Sequence, residues 1–252
     1  LRRQRQMCIR EQILDRERKI VSSVIMPTGA GAANGAERAL EEALRQSGLN
    51  REDIDAVVTT GYGRTAISDG DKSITEITCH ARGAHFLDSS VRTVVDIGGQ
   101  DSKVIRLNDD GSVKNFVMND KCAAGTGRFL EMMAKTMEMS LDELSKVGLS
   151  YQEDITISSM CTVFAESEVV SLIAQNKATD DIVHGLNKAV AAKTASLVKR
   201  VGGEEAYMMT GGVAQNQGLV RTLEERLGTK LVISDKSQLC GALGAALFAA
   251  EM

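Results

Sequence analysis

The chain has no tryptophan, five phenylalanines and three tyrosines, so aromatics make up only 3% of its 252 residues. Its core must therefore be built from Val, Ile, Leu, Met and Ala, a mix suited to alternating α/β architecture. There is one proline, Pro27, and no Ser/Pro-rich tract. A flexible linker is excluded, and any lobes must be joined by short crossings. Basic residues show no excess: the formal net charge is −4, which argues against nucleic acid as a partner. No apolar run approaches the roughly 18 to 20 residues of a membrane span, and no secretory signal opens the chain. The expected setting is cytoplasmic, with no membrane partner. Five cysteines, Cys8, Cys79, Cys122, Cys161 and Cys240, are scattered and odd in number. That pattern argues against a disulfide framework and for free, catalytic or metal-bound thiols.

The length suits one large domain or two packed lobes. Residues 1–20 are basic, start without methionine and carry no readable pattern. A β-rich run from Ile20 to Met26 ends at Pro27, and a Gly-rich loop then feeds a helix toward Gly48. Asp55 to Thr60 reads as a buried strand ending in Gly61-Tyr62-Gly63-Arg64, and Thr75 to Leu87 has helical spacing. From Val91 to Leu107 the pattern is strand, tight Gly-Gly turn and returning strand, with Ser112 to Asn119 as a third strand. Ser140 and Glu143 form a capping box. Ile155 to Ser159 reads as a short strand delivering Cys161 to a helix, and Thr179 as the cap of the longest helix. The stretch around Met208 to Gly218 is again strand, Gly-Gly turn and helix; Lys230 to Asp235 is a strand, and Leu239 to Ala250 a small-residue helix able to pack closely on a neighbour. In open α/β sheets, ligands sit at strand ends of this kind.

Asn119 to Met139 concentrates two kinds of chemistry. Lys121 and Cys122 lead into Ala-Ala-Gly125-Thr126-Gly127, and an amphipathic helix follows. Backbone N–H groups at a helix start favour phosphate, thiolate or an anionic metal cluster. The same residues would also make a glycine-bearing turn with a buried cysteine.

Six segments occur in a familiar order: TGYGR (60–64), VVDIGGQDSKV (94–104), MNDKCAAGTGRFLE (118–131), CTVFAESEV (161–169), TGGVAQN (210–216) and GALGA (241–245). Together they resemble the phosphate, connecting and adenosine motifs of the actin, Hsp70 and sugar-kinase ATPase superfamily. Within it the chain resembles the activators of 2-hydroxyacyl-CoA dehydratases and the ATPase subunits of benzoyl-CoA reductase. The resemblance implies an α/β, two-lobed, RNase H-like ATPase fold, with residues 1–90 and 243–252 as lobe I and 91–242 as lobe II. Family members open with a strand and a loop of the type Asp-x-Gly-Ser-Thr-x-x-Lys, which has no counterpart here. The expectation is a chain lacking its true N-terminus, the alternative being a copy that has lost ATP hydrolysis.

The resemblance also implies roles. Asp96 would hold Mg²⁺ through water, and Gln100 would orient the attacking water. Gly98 and Gly99 would approach the phosphates of ATP or ADP, with Asp101 and Lys103 beside them and Gly125, Thr126 and Gly127 completing the cleft. Thr210, Gly211, Gly212, Gln215 and Asn216 would border the adenosine. A plain β-hairpin and an ordinary strand-to-helix turn are the alternatives for the two Gly-Gly turns. Cys122 and Cys161, each expected to end a strand-like run before a helix, match the family's ligands to a 4Fe-4S cluster. Four thiolates are needed, so the cluster would bridge a homodimer. Closure of the lobes on ATP would then move helix and cluster together. Ferredoxin or flavodoxin would be the electron donor, and a 2-hydroxyacyl-CoA dehydratase or related reductase the acceptor. Rival readings are a small-molecule kinase of the same superfamily and a non-hydrolysing nucleotide-binding scaffold or sensor. Cys8, Cys79 and Cys240, His85 and His184, and the methionines at 132, 133, 137 and 139 read as structural. Glu166 and Glu168 read as acids favouring a helix dipole, or as nucleotide or partner contacts.

Overall fold

The computed structural model describes residues 8–29, 31–67, 70–158 and 161–252. Within them the chain forms two compact units. One takes in the described residues of Leu1–Ser90 with Asn108–Val113 and Gln238–Met252; the other takes in Val91–Leu107 and the described residues of Lys114–Ser237.

In the first unit, β1 (Cys8–Leu14) and β2 (Ile20–Pro27) form an antiparallel hairpin with Glu11 opposite Val24. β1 lay unread in the sequence because Arg10, Glu11 and Gln12 interrupt its apolar alternation; Leu1 to Met7 lie outside the described residues. Helix α1 (Ala32–Ser47) sets Ala39 and Ala43 against Ile13 and Val24 of the hairpin. It ends at Gly48, whose φ of 71° is the left-handed conformation that glycine adopts freely. The expected strand from Asp55 shrinks to β3 (Val58–Thr59), paired in parallel with β4 (Lys72–Ser73).

Helix α2 (Glu76–Leu87) starts at Thr75, whose hydroxyl accepts the Thr78 N–H at 3.3 Å. It packs against the C-terminal small-residue helix (Cys240–Ala249) with no room to spare. A Cβ on Gly83 would overlap the Cys240 carbonyl, and one on Gly244 would overlap the Cys79 carbonyl. The expected close packing of the small-residue helix is therefore observed. Cys79 and Cys240 are buried there, and burial pushes the Cys79 thiol up to about 11.

The second unit holds a five-stranded mixed sheet. In spatial order it comprises β7 (Val113–Asn119), β6 (Ser102–Leu107), β5 (Thr93–Ile97), β8 (Tyr207–Thr210) and β9 (Leu231–Val232). β5 is antiparallel to β6 and parallel to β8, which is parallel to β9. Every residue of β5 is buried, as a central strand covered on both faces requires. Val95, Ile97, Val104 and Met209 of the sheet pack with Phe129, Leu130 and Met133 of α3 (Gly127–Thr136) and Ile182, Leu186 and Val190 of α6 (Thr179–Val201). Met132, Met137 and Met139 pack against the same core, as structural methionines should.

Helix α4 (Leu141–Val147) carries the expected capping box: the Glu143 N–H donates to Ser140 Oγ at 3.2 Å and the Ser140 N–H to Glu143 Oε2 at 2.7 Å. α5 (Thr162–Ala174), α6 (Thr179–Val201) and α7 (Gln217–Leu227) complete the unit, and the C-terminal helix of the first unit is α8.

Three further readings are corrected. Ala178, with extended backbone and no side-chain cap, occupies the cap position of α6, and Thr179 is its first helical residue. Ile155 to Ser158 is not a strand; Ser159 lies outside the described residues. Ile155 and Ile157 are buried in the core, but the Ser158 N–H donates to the Glu168 carboxylate at 3.1 Å instead of joining a ladder. The strand expected from Lys230 to Asp235 is reduced to Leu231–Val232.

Candidate functional site

Sheet register builds the centre of the site. Asp96 stands opposite Lys103 on β6 and opposite Thr210 on β8. Lys103 Nζ donates to Asp96 Oδ2 at 2.9 Å, and the Thr210 hydroxyl donates to Asp96 Oδ1 at 2.8 Å. Asp101 closes the group from the β5–β6 turn, its Oδ2 3.1 Å from the same ammonium. Two carboxylates face one buried ammonium, and clustered carboxylate oxygens are the donors that suit a hard divalent cation. Both Asp96 oxygens are engaged, so a Mg²⁺ ion beside it would be reached through water.

The Gly-Gly turn is joined to α3. The Gly98 N–H donates to the Asp101 carbonyl at 2.9 Å, while the carbonyls of Gly98 and Gly99 accept the N–H groups of Gly127 and Arg128 at 2.8 and 2.9 Å. A Cβ on Gly127 would lie 3.1 Å from the Gly98 carbonyl oxygen and 3.3 Å from Gly99 Cα, so the close approach of loop and helix needs glycine. Gly125, at φ +82°, lets the chain turn beneath the Lys193 side-chain stem. Thr126 is fully buried, and its hydroxyl donates to the Ala123 carbonyl at 2.7 Å. Gln100 is half-buried on the turn.

The β8 turn reaches the same place. Gly211 has φ +86°, and a Cβ there would meet the Ile97 carbonyl and lie 3.1 Å from Asp96 Oδ1. Its N–H is taken by the Ser237 carbonyl at 3.0 Å. Gly212 to Gln215 form a single 3₁₀ turn, with Gln215 exposed. Asn216 is buried and caps α7, its side-chain oxygen accepting the Leu219 N–H at 2.9 Å. The turns at Asp96–Lys103, Gly125–Gly127 and Thr210–Gly211 thus meet at the C-terminal ends of the parallel strands β5 and β8, where α/β sheets place ligands.

The two cysteines lie on loops attached to this frame, and both are exposed and free. Their settings differ from the matched pair expected. Cys161 is itself the cap residue of α5, while Cys122 sits in the loop between β7 and α3. That loop is shaped by Asn119, whose amide donates to the carbonyls of Cys122 and Ala124 at 2.9 and 3.0 Å. Thiols are the donors that iron-sulfur clusters use, and two exposed ones fit half of a four-thiolate set. No group of three or more potential metal ligands occurs among the described residues.

Thr136, Ser158 and Asp181 escaped the sequence reading, as did the partners of Glu166 and Glu168. The Thr136 hydroxyl at the end of α3 lies 3.0 Å from Glu166 Oε1 on α5. Glu168 accepts from both the N–H and the hydroxyl of Ser158, at 3.1 to 3.2 Å. Asp181 accepts the N–H groups of Gln152 and Glu153 at 2.7 and 2.9 Å, and these bonds hold its carboxyl below the usual range. His184 is buried and stacked on Tyr151 with ring centroids 3.4 Å apart, a structural placement. No helix among the described residues is long and apolar enough to cross a membrane.

The profile of the BadF/BadG/BcrA/BcrD ATPase family matches residues 7–249. The 2-hydroxyisocaproyl-CoA dehydratase activator of Clostridioides difficile is 49% identical over 237 residues, covering 94% of this chain and 89% of the relative. A structure of an activator of the 2-hydroxyisocaproyl-CoA dehydratase from Clostridium difficile with bound ADPNP superposes with a TM-score of 0.91. Its identity is 46%, and the match covers 97% of this chain and 95% of the other. The fold extends further: a ROK family glucokinase from Streptomyces griseus, in complex with glucose and AMPPNP, gives a TM-score of 0.51. That match has 13% identity and covers 96% of this chain and 95% of the other. The actin/Hsp70/sugar-kinase-like α/β fold expected from the motifs is the fold observed.

Proposed function

Because the chain belongs to the BadF/BadG/BcrA/BcrD ATPase family, we propose that it is an ATP-driven activator delivering single low-potential electrons to a partner enzyme. The electrons would leave a 4Fe-4S cluster held by two copies of the chain, and the acceptor would be a 2-hydroxyacyl-CoA dehydratase or related reductase. One observation carries this reading: two exposed thiols, Cys122 and Cys161, precede α3 and α5, helices that pack on each other, and the first turn of α3 is hydrogen-bonded to the Gly98–Gly99 turn. A kinase of this fold has no need of exposed thiols ahead of these two helices.

In this account Asp96, with Asp101 and Lys103 beside it, would hold Mg²⁺ through water. Gly98 and Gly99 would approach the phosphates, Gly99 having nothing within reach of a Cβ, and Gly125 to Gly127 would complete the cleft. Gln100 orients the attacking water, a role for an amide where no strong base is needed. Thr210 keeps Asp96 aligned, and Gly211, Gly212, Gln215 and Asn216 border the adenosine. Bound by Cys122 and Cys161 of each of two copies, the cluster would supply one electron per cycle, replenished by ferredoxin or flavodoxin. The relatives named as dehydratase activators, and the one solved with ADPNP, support the nucleotide and acceptor parts of this reading.

The test is the iron and acid-labile sulfide content of anaerobically purified protein. Cys122→Ser and Cys161→Ser should each lose the cluster while retaining ADPNP binding. Full iron in both variants would sink the ligand assignment.

A further inference from the structure

Helices α3 and α5 carry the two halves of the proposed chemistry. The first turn of α3 is hydrogen-bonded to the phosphate-facing turn through Gly127 and Arg128. α5 starts at Cys161. The two helices pack against each other, and apolar packing alone, with Ala165 and Val169 in the same core as Phe129 and Met133, lets such helices slide. One polar contact fixes their register. Thr136 Oγ1, on the last residue of α3, lies 3.0 Å from Glu166 Oε1 and 3.0 Å from the Met132 carbonyl. A hydroxyl has one proton to give, and a carboxylate takes it more strongly than a neutral carbonyl.

Glu166 lies in the second turn of α5, beyond the cap position where an acid would simply complement the dipole. Its neighbour on the helix, Glu168, is committed to Ser158, so α5 is gripped from α3 on one side and from the segment leading into Cys161 on the other. Helix α3 rises about 14 Å from Gly127 to Thr136, and is a rigid rod on that scale. A shift of Gly98 and Gly99 would be transmitted along it to Thr136.

We infer that the Thr136–Glu166 hydrogen bond is the latch that couples the nucleotide-facing turn to the helix carrying Cys161. Thr136 and Glu166 are positioning residues: neither touches the nucleotide turn or the thiol. The inference rests on the reading of Gly98–Lys103 and Gly125–Gly127 as nucleotide-facing.

Its test needs no cluster. In cluster-free protein, the rate of Cys161 alkylation by iodoacetamide is followed by mass spectrometry with and without Mg²⁺ and ADPNP. The native chain should change that rate by about fivefold or more, the lower range of coupling between linked sites. Thr136→Val and Glu166→Leu, which each remove one partner of the bond, should each bring the ratio close to one, the double variant should add nothing further, and Thr136→Ser, which keeps the hydroxyl, should restore it. ADPNP affinity and melting temperature report whether the variants remain folded and competent. A nucleotide response that survives in both single variants overturns the latch, as does a native chain that binds ADPNP without any change at Cys161. A native chain that fails to bind ADPNP would bring down the proposed function as well.

Discussion

Lys103 Nζ lies 2.9 Å from Asp96 Oδ2 with both side chains 3% exposed, and the same ammonium is 3.1 Å from Asp101. One lysine therefore bridges the two carboxylates of a buried site. Lys103→Met should lower stability by about 3–5 kcal/mol, the usual cost of stranding a buried charge. Asp96→Asn should be much milder, because Lys103 keeps Asp101 and the Thr210 hydroxyl keeps an acceptor. Its effect should fall on ATP turnover, reduced about a hundredfold or more with the loss of the charge that faces the metal. Urea denaturation and phosphate release separate the two outcomes.

Gly211 is held at φ +86°, and a Cβ there would overlap the Ile97 carbonyl and lie 3.1 Å from Asp96 Oδ1. Gly211→Ala should cost about 1–3 kcal/mol from backbone strain and in addition weaken nucleotide affinity, since the overlap displaces the end of the strand that carries Asp96. Gly228→Ala is the control. It has a similar φ of +70° but nothing within reach of a Cβ, so it should show the strain and leave nucleotide affinity unchanged.

Asp181 ties Gln152 and Glu153 to the start of α6 through two backbone N–H bonds. Those bonds hold its folded-state pKa below the ordinary value of 3.8. A depressed carboxyl adds stability above the ordinary carboxylate range and gives it up as pH falls through the folded-state value. Asp181→Asn should therefore melt lower than the native chain at pH 7, and the gap should close as pH drops from about 4 downward. Thermal melts across that range check it; a gap that persists undiminished at low pH contradicts the carboxylate's role.

The α/β class and the turns at Gly98 and Gly211 were legible in the sequence because each pairs glycines with a preceding apolar strand. Asp96, Gly98, Gly127, Thr210 and Gly211 lie together at the ends of β5 and β8. Other features depend on pairings that no local pattern encodes. Asn119 reaches forward to shape the Cys122 loop, Thr136 meets Glu166 thirty residues later, and Glu168 reaches back to Ser158. That last bond is why Ile155 to Ser158 reads as a strand and is not one: the isoleucine alternation is real, but the backbone N–H goes to a side chain. β1 hid for the opposite reason, its ladder forming despite charges at Arg10 and Glu11. Cys122 and Cys161 were expected in matching settings, but one is a helix cap and the other lies in a loop, a difference set by where α3 and α5 begin.

The most direct measurement is the iron-to-chain ratio of the anaerobically purified protein, taken together with its mass in solution. A cluster shared by two copies through Cys122 and Cys161 requires a dimer carrying about two iron atoms and two sulfides per chain. A monomer, or a dimer free of iron, would contradict the account.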